Sequence, residues 1–376
     1  SIMALVVALR VCEGIYRGSL YGLERQVWYN GANSLLATLR YGGALVVLEY
    51  ISASVGAFFI WQAVISLLTV LVFAFSVHRI LPVAPTRPRF SRAALTEVWK
   101  FAGGMTVIAF LTMLLLQVDK VILSRLLTLK EFGYYALAAT AAGVMYMIVV
   151  PVTQAVYPRM VGYISKEDLT GLIASYHQTT QLITVLIAPA VLPLVFFAGG
   201  VVYMWSGDAD LAKNTAPILS ILALGNFLNS LAYIPHTLQL VHGWTSFLVK
   251  INIVMVFMSI SAIFWVVPHY GSIGAAWLWV ALNAGYLMVS TQFVHHRLIP
   301  KEKWSWYMSD VLLPVIGAVG IVLMAQHAQP EEYQGRLHWF IFLLLTGGFS
   351  LLISAVFAST LRARFKSRLL VSRGQL

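Results

Sequence analysis

The sequence predicts an all-α polytopic membrane protein. Three observations carry that reading. Of 376 residues, 60% are hydrophobic and 10% charged, where a soluble domain carries about 25% charged residues. The apolar residues gather into runs of about twenty, the length a helix needs to cross roughly 30 Å of hydrocarbon. The sparse charges fall in short segments between those runs. With a mean hydropathy of +0.82, much of the exterior must be solvated by lipid.

Eleven runs read as spans. The first, about 2–23, opens the chain and carries three ionisable residues, Arg10, Glu13 and Arg17. The second, about 28–50, is split from the third, about 54–77, by Glu49-Tyr50-Ile51-Ser52-Ala53. These three form a partial lobe over 1–79. Segment 80–99 follows, with Pro82, Pro85 and Pro88 among Arg87, Arg89 and Arg92. It reads as an extended, basic, cytoplasmic linker. Six spans come next, at about 100–125, 132–157, 173–198, 214–238, 245–268 and 272–294, forming a lobe over 100–297. Two more, at about 308–326 and 337–359, form an addition over 298–360. Residues 361–376 are a basic tail. No segment is long enough between spans to fold as a soluble catalytic domain.

A net charge of +11 would point to nucleic acid in a soluble protein. Here the lysines and arginines sort by side: sixteen lie in one set of connections and five in the other. The richer side is expected to be cytoplasmic, which places the C-terminus inside. One cysteine, Cys12, allows no intrachain disulfide and reads as a small core residue. Ser1 opens directly on an apolar run with no charged leader, so the start resembles a truncation and not a signal peptide.

An internal repeat organises the spans. Ser54-Val55-Gly56-Ala57-Phe58-Phe59-Ile60-Trp61-Gln62-Ala63 recurs as Ser272-Ile273-Gly274-Ala275-Ala276-Trp277-Leu278-Trp279-Val280-Ala281, five of ten positions being identical at an offset of 218 residues. Each copy opens a span, and a weaker echo, Gly22…Asn30 and Gly243…Asn252, precedes each. The offset covers six helices, an even number that preserves orientation. Two parallel six-helix lobes are therefore expected, the first incomplete by three helices, plus two extra C-terminal helices.

With that architecture, the chain resembles the polysaccharide and O-antigen flippases of the multidrug/oligosaccharidyl-lipid/polysaccharide exporter superfamily. The resemblance covers about 1–310. It rests on Tyr16-Arg17-Gly18 with Gly22-Leu23-Glu24-Arg25, on Gln117-Val118-Asp119-Lys120-Val121-Ile122-Leu123-Ser124, on Glu131-Phe132-Gly133-Tyr134-Tyr135, and on Tyr157-Pro158-Arg159. It implies fourteen helices, with the first three absent here. It also implies a bacterial cytoplasmic membrane protein that moves a polyprenyl-diphosphate-linked oligosaccharide between leaflets by alternating access. The expected partners are that lipid-linked oligosaccharide, membrane lipids, H+ or Na+ as coupling ion, and other polysaccharide-assembly proteins. No nucleic acid, cofactor or metal is expected.

Candidate site residues follow from polarity inside spans, where ionisable groups are costly. Arg10, Glu13 and Arg17 share one helix face with Tyr21, beside the small-residue face Gly14, Gly18 and Gly22. Arginine forks suit a diphosphate, so this face is expected to line a cavity, unless Glu13 neutralises Arg17 four residues on. Arg40, near the middle of the second span, has no acid within two turns in that span; it needs a partner elsewhere or water and is expected at a cavity position. Asp119 and Glu13 are candidate coupling sites, set against the plainer reading that a neighbouring helix holds Asp119 while Lys120 snorkels. Asn226, Asn229, Ser230, Tyr233 and Thr237 share a face with His236 beside them. That stripe either lines a cavity suited to sugar hydroxyls or stitches helices together. Histidines 78, 242, 295 and 296 read as interfacial.

Enzyme signatures are absent: there is no HExxH, P-loop or GxSxG. Asp208-Ala209-Asp210 reads as a loop or helix cap. Three other functions compete with the flippase. A cation-coupled multidrug or small-solute antiporter on the same fold would lack the two extra helices. A membrane polysaccharide polymerase or ligase would present a large outer loop. The last is an inactive truncated product.

Overall fold

The computed structural model describes residues 2–81, 91–330, 335–360 and 362. Most of the proline-rich segment and nearly all of the basic tail lie outside the described residues. Among those described, every regular element is helical. The order is α1 (Ile2–Gly22), α2 (Gln26–Tyr50), α3 (Val55–Ile80), α4 (Arg92–Leu126), α5 (Leu129–Ala142), α6 (Tyr146–Ser165), α7 (Leu169–Phe196), α8 (Ala198–Ser206), α9 (Ala209–Leu231), α10 (Tyr233–Val241), α11 (Thr245–Leu298), α12 (Lys303–Ser305), α13 (Leu313–Ala325) and α14 (Arg336–Phe357). Eight helical stretches are long and apolar enough to cross a membrane. The chain is an all-α, multi-pass membrane protein.

All eleven expected runs are helical. Two of them, α1 and α2, fall outside the eight: α1 carries three charges, Arg10, Glu13 and Arg17, and α2 is less apolar, with Arg40 at its middle. Two others form the 54-residue α11, which is two helices joined at Gly271 (φ +59°, ψ −150°). That backbone conformation is essentially open only to glycine, so one residue makes the junction. The second repeat copy begins directly after it.

Several boundaries differ from expectation. Helix α4 begins at Arg92, so 92–99 are helical and not extended linker. The last proline of that segment is Pro88, and nothing after it blocks a helix. The run 214–238 is broken at Ala232 into α9 and α10. Pro235 has no N–H and cannot bond the Leu231 carbonyl, which loosens the turn there. The short α8 was not foreseen. Helix ends are closed by side chains. The Ser54 hydroxyl accepts from the Ala57 N–H, Thr128 and Glu131 form a capping box, and Asp168 accepts from the Gly171 N–H. Asp208 caps α9 by accepting from the Leu211 N–H at 3.0 Å.

The chain divides into two compact units, residues 1–92 and 93–376. In the first, α1 and α2 both pack on α3. Its core is Leu20, Tyr29, Leu36, Phe73 and Val77, with the Tyr29 and Phe73 rings 5.0 Å apart. Cys12 is exposed, not a core residue. It sits among exposed Val7, Val11 and Ile15, a face whose apolar surface suits lipid. In the second unit α7 is the central element, packed by α6, α9, α13 and α14. Helix α4 is anchored through Ile108 against Leu240 and Leu248.

Candidate functional site

Each unit carries its own set of candidate residues. In the first unit, α1 and α2 bring Glu13 and Arg40 together at 3.7 Å. Arg40 is 9% exposed, and its Nη2 also donates to the Thr69 hydroxyl at 3.2 Å. The partner that Arg40 needed is thus Glu13, from the neighbouring helix. The local pairing of Glu13 with Arg17 does not form. Arg17 instead lies beside the hydroxyl of Tyr29. Arg10 and Arg17 are both exposed. Seven residues apart, they stand on one face of α1 about two turns from each other. The only acid on that face is taken by Arg40, so the two guanidiniums are left as a cationic pair.

In the second unit the polar stripe does two different things. Asn226 and Asn229, on α9, stitch. The Asn226 side chain donates to the Ala142 carbonyl at 2.9 Å. Its oxygen accepts from the Trp279 indole N–H at 2.8 Å and from the Tyr146 hydroxyl at 3.3 Å. Asn229 accepts from Tyr146 at 3.1 Å and donates to Asn283 at 2.7 Å. Asn283 donates on to the Trp279 carbonyl. Buried amides left open would be costly; here Asn226 has partners on α5, α6 and α11, and the half-buried Asn229 on α6 and α11. Ser230 is buried.

Tyr233 and His236, on α10, line a cavity instead. About 260 Å³ in volume, it is bounded by Thr112, Asn229, Ala232, Tyr233, His236 and Tyr286. A second cavity of about 220 Å³ reaches Asp119, Lys120, Tyr135, Tyr146, Asn226 and Trp279. Both cavities touch α9, through Asn226 and Asn229, and the rings of Tyr146 and Tyr233, one from each lining, are 6.1 Å apart. Asp119 is held by α5, its Oδ2 accepting from the Tyr135 hydroxyl at 2.8 Å. Lys120 does not pair with it. The ammonium donates to the Leu116 carbonyl at 3.1 Å and reaches Gln117 at 3.4 Å.

The two units thus offer different surfaces: a cationic helix face in the first, and aromatic-lined cavities with a few polar groups in the second. Among the described residues, no group of three or more His, Cys, Asp or Glu side chains is placed to hold a metal. A family model described as "Polysaccharide biosynthesis protein" matches residues 2–209. The chain belongs to this family. One relative is the "Putative O-antigen transporter" of Shigella flexneri, 21% identical over 278 residues. The match takes in 74% of this chain and 65% of that relative, so the chain spans slightly less than two thirds of the relative's length.

Sequence reasoning missed a third cluster. His177 on α7 is bonded through Nδ1 to Asp310 and through Nε2 to Glu302 at 3.0 Å. One turn on, the Gln181 amide donates to Asp310 at 3.0 Å and accepts from the Thr360 N–H at 3.0 Å. Asp310 lies in a π-helical turn, Trp306–Leu312, ahead of α13, and is 1% exposed. His295 belongs beside this cluster and is not interfacial. At 1% exposure, it meets the Tyr176 hydroxyl at 3.2 Å because α11 ends against α7. The signal was present: His177 and Asp310 are ionisable residues inside apolar runs. Tyr146, Trp279 and Asn283 gave no such signal, since aromatic and amide side chains are common at helix contacts.

Proposed function

We propose that the chain is a flippase-type transporter. It moves a polyprenyl-diphosphate-linked oligosaccharide from the inner to the outer leaflet of a bacterial cytoplasmic membrane. The observation that carries this reading is the cationic pair on α1. Arg10 and Arg17 stay charged and exposed on an apolar helix while Glu13 is neutralised by Arg40. A diphosphate supplies the missing negative charge, and two guanidiniums one face apart can each hold a phosphoryl group through a planar fork. Membership of a polysaccharide biosynthesis family and the relative named as an O-antigen transporter support the same class of substrate.

Transport on this reading involves no covalent step. The saccharide head crosses along polar groups such as Tyr233 and His236, and the prenyl tail stays in the bilayer. Access alternates between the two sides by relative motion of the units. The excess of Lys and Arg on one set of connections supports a cytoplasmic C-terminus.

The test is export in a flippase-null bacterium with a defined O-unit, scored by surface polysaccharide at matched membrane abundance. Arg10→Ala and Arg17→Ala together should abolish most of the signal. Wild-type export by the double variant would refute the anion-binding role. No export of any O-unit by the parent chain would refute the transport reading itself.

A further inference from the structure

Two histidines stand close together near the start of α7, and their partners assign them different numbers of protons. His295 is complete as a neutral ring. Its Nδ1 faces the Thr291 carbonyl at 2.8 Å. A carbonyl only accepts, so that nitrogen carries the proton. Its Nε2 then accepts from the Tyr176 hydroxyl at 3.2 Å. His177 has no such solution. Nδ1 faces an Asp310 oxygen, and Nε2 faces a Glu302 oxygen at 3.0 Å. An ionised carboxylate only accepts, and a neutral imidazole donates from one nitrogen alone. Both bonds exist together only when the three groups hold one proton beyond that of a neutral ring, on the imidazole or on one of the acids.

No neighbouring charge does the work of that proton. Among the described residues, neither acid has a lysine or arginine partner, and the Lys303 ammonium stands over the Trp304 ring at 5.1 Å. Tyr176 is committed to His295, and Tyr307 packs on Trp306. From α6, Tyr163 lies beside Gly171 with Arg159 donating to its hydroxyl at 3.1 Å. Helix α13 carries no titratable residue. From α10, Tyr233 and His236 face a cavity. The titratable residues of α8, α9 and α14 (Tyr203, Asp210, Lys213, Arg336 and His338) stand toward the other end of α7.

Loss of the shared proton sets a nitrogen lone pair against a carboxylate oxygen, so one of the two bonds must open. Exposure decides which. The Asp310 side chain is 1% exposed, and its second oxygen accepts from Gln181 at 3.0 Å. The Glu302 side chain is 27% exposed and can turn to water, which removes the cost of leaving it unpaired.

We propose that His177, Asp310 and Glu302 form a proton-binding site that latches the 3-10 turn Pro300–Glu302 to α7. With the proton bound, the connection between α11 and α13 is fastened at Glu302. As pH rises and the proton leaves, Glu302 lets go and the turn loosens, while Asp310 stays in place. The site lies wholly within the second unit and does not depend on what the chain carries.

The test is spin labelling of the full chain in nanodiscs. Cys12→Ser removes the native thiol, and Lys301→Cys puts the label on the exposed side of the turn. EPR spectra are recorded from about pH 5 to about pH 9, a range that brackets histidine titration. In this parent the label should lose its immobile component in one transition as pH rises. Adding Glu302→Gln should abolish the transition and keep the label immobile throughout, because the amide donates to a neutral Nε2. Adding Glu302→Ala should also abolish the transition but leave the label mobile throughout. His296→Gln, at an exposed histidine on the same helix end, should leave the parent transition unchanged. Both Glu302 variants alter a partly exposed side chain and leave Asp310 its two partners, so the fold is kept. Equal mobility of the parent label at every pH overturns the proposal. So does a transition that survives in Glu302→Gln, or a label that stays immobile in Glu302→Ala.

Discussion

Arg40 on α2 reaches Glu13 on α1 at 3.7 Å, although Arg17 lies only one turn from the same carboxylate. The choice follows from burial. Arg40 is enclosed and needs a counter-charge in place, whereas Arg17 is exposed and has Tyr29 beside it. The interhelical pair ties α1 to α2 and frees the cations of α1 for another partner.

Removing one member of that pair should destabilise the first unit. Arg40→Ala leaves Glu13 without its cation, and breaking a buried pair from one side costs about 3 kcal/mol. The double variant Glu13→Gln with Arg40→Gln should lose less than the two single losses combined. Thermal unfolding of detergent-purified protein, followed by size-exclusion fluorescence, measures both. An Arg40→Ala protein that melts with the parent would show the pair to be ornamental.

Asn226→Ala should loosen the aromatic wall without emptying the core. Trp279 N–H loses its acceptor and the Ala142 carbonyl loses its donor, for about 1–3 kcal/mol per buried group left unsatisfied. Freed, the Trp279 ring should become mobile, seen as a fall in its fluorescence anisotropy in a variant where it is the single tryptophan. Unchanged anisotropy would mean that packing alone holds the ring.

Gly200→Ala should push α14 from α8. A Cβ at that position would overlap the six-membered ring of Trp339, and overpacking of this kind costs about 1–3 kcal/mol. A smaller partner, Trp339→Leu, should recover part of the loss in the Gly200→Ala background. If the second change only adds to the damage, the helices are not held by that contact.

Gln181→Ala should release the ends of the last two helices together. Asp310 and the Thr360 N–H both lose a partner, a loss of about 3 kcal/mol by the same reasoning. Hydrogen exchange should then rise around 309–310 and 359–360 but not around Asn226. Exchange confined to one of the two ends would show that they are secured independently.

The spans were legible because a bilayer imposes a length and a polarity on every helix that crosses it. Residues 55–80 and 336–357 therefore sit close to where apolar runs alone put them. Pairings were less legible, because the relevant neighbour is distant in the chain. Local spacing offered Arg17 to Glu13, but the fold supplied Arg40. The α9–α10 stripe read as one surface with two equal explanations. Pro235 breaks it, and the explanations then overlap: Asn226 and Asn229 stitch helices while also facing the cavities, and Tyr233 and His236 line one. Asp119 showed itself as a costly residue, yet its Tyr135 partner gave no sign in the sequence, since a buried tyrosine needs no special pattern.

The bond from the Thr360 N–H to Gln181 joins residues 179 apart, and this sets a timetable for biogenesis. At roughly 5–20 residues per second of synthesis, the amide of Gln181 is made roughly 10–40 seconds before its last partner exists. His177 and Gln181 therefore wait in the apolar core first for Glu302 and Asp310, and Gln181 then waits about fifty residues more for the Thr360 N–H.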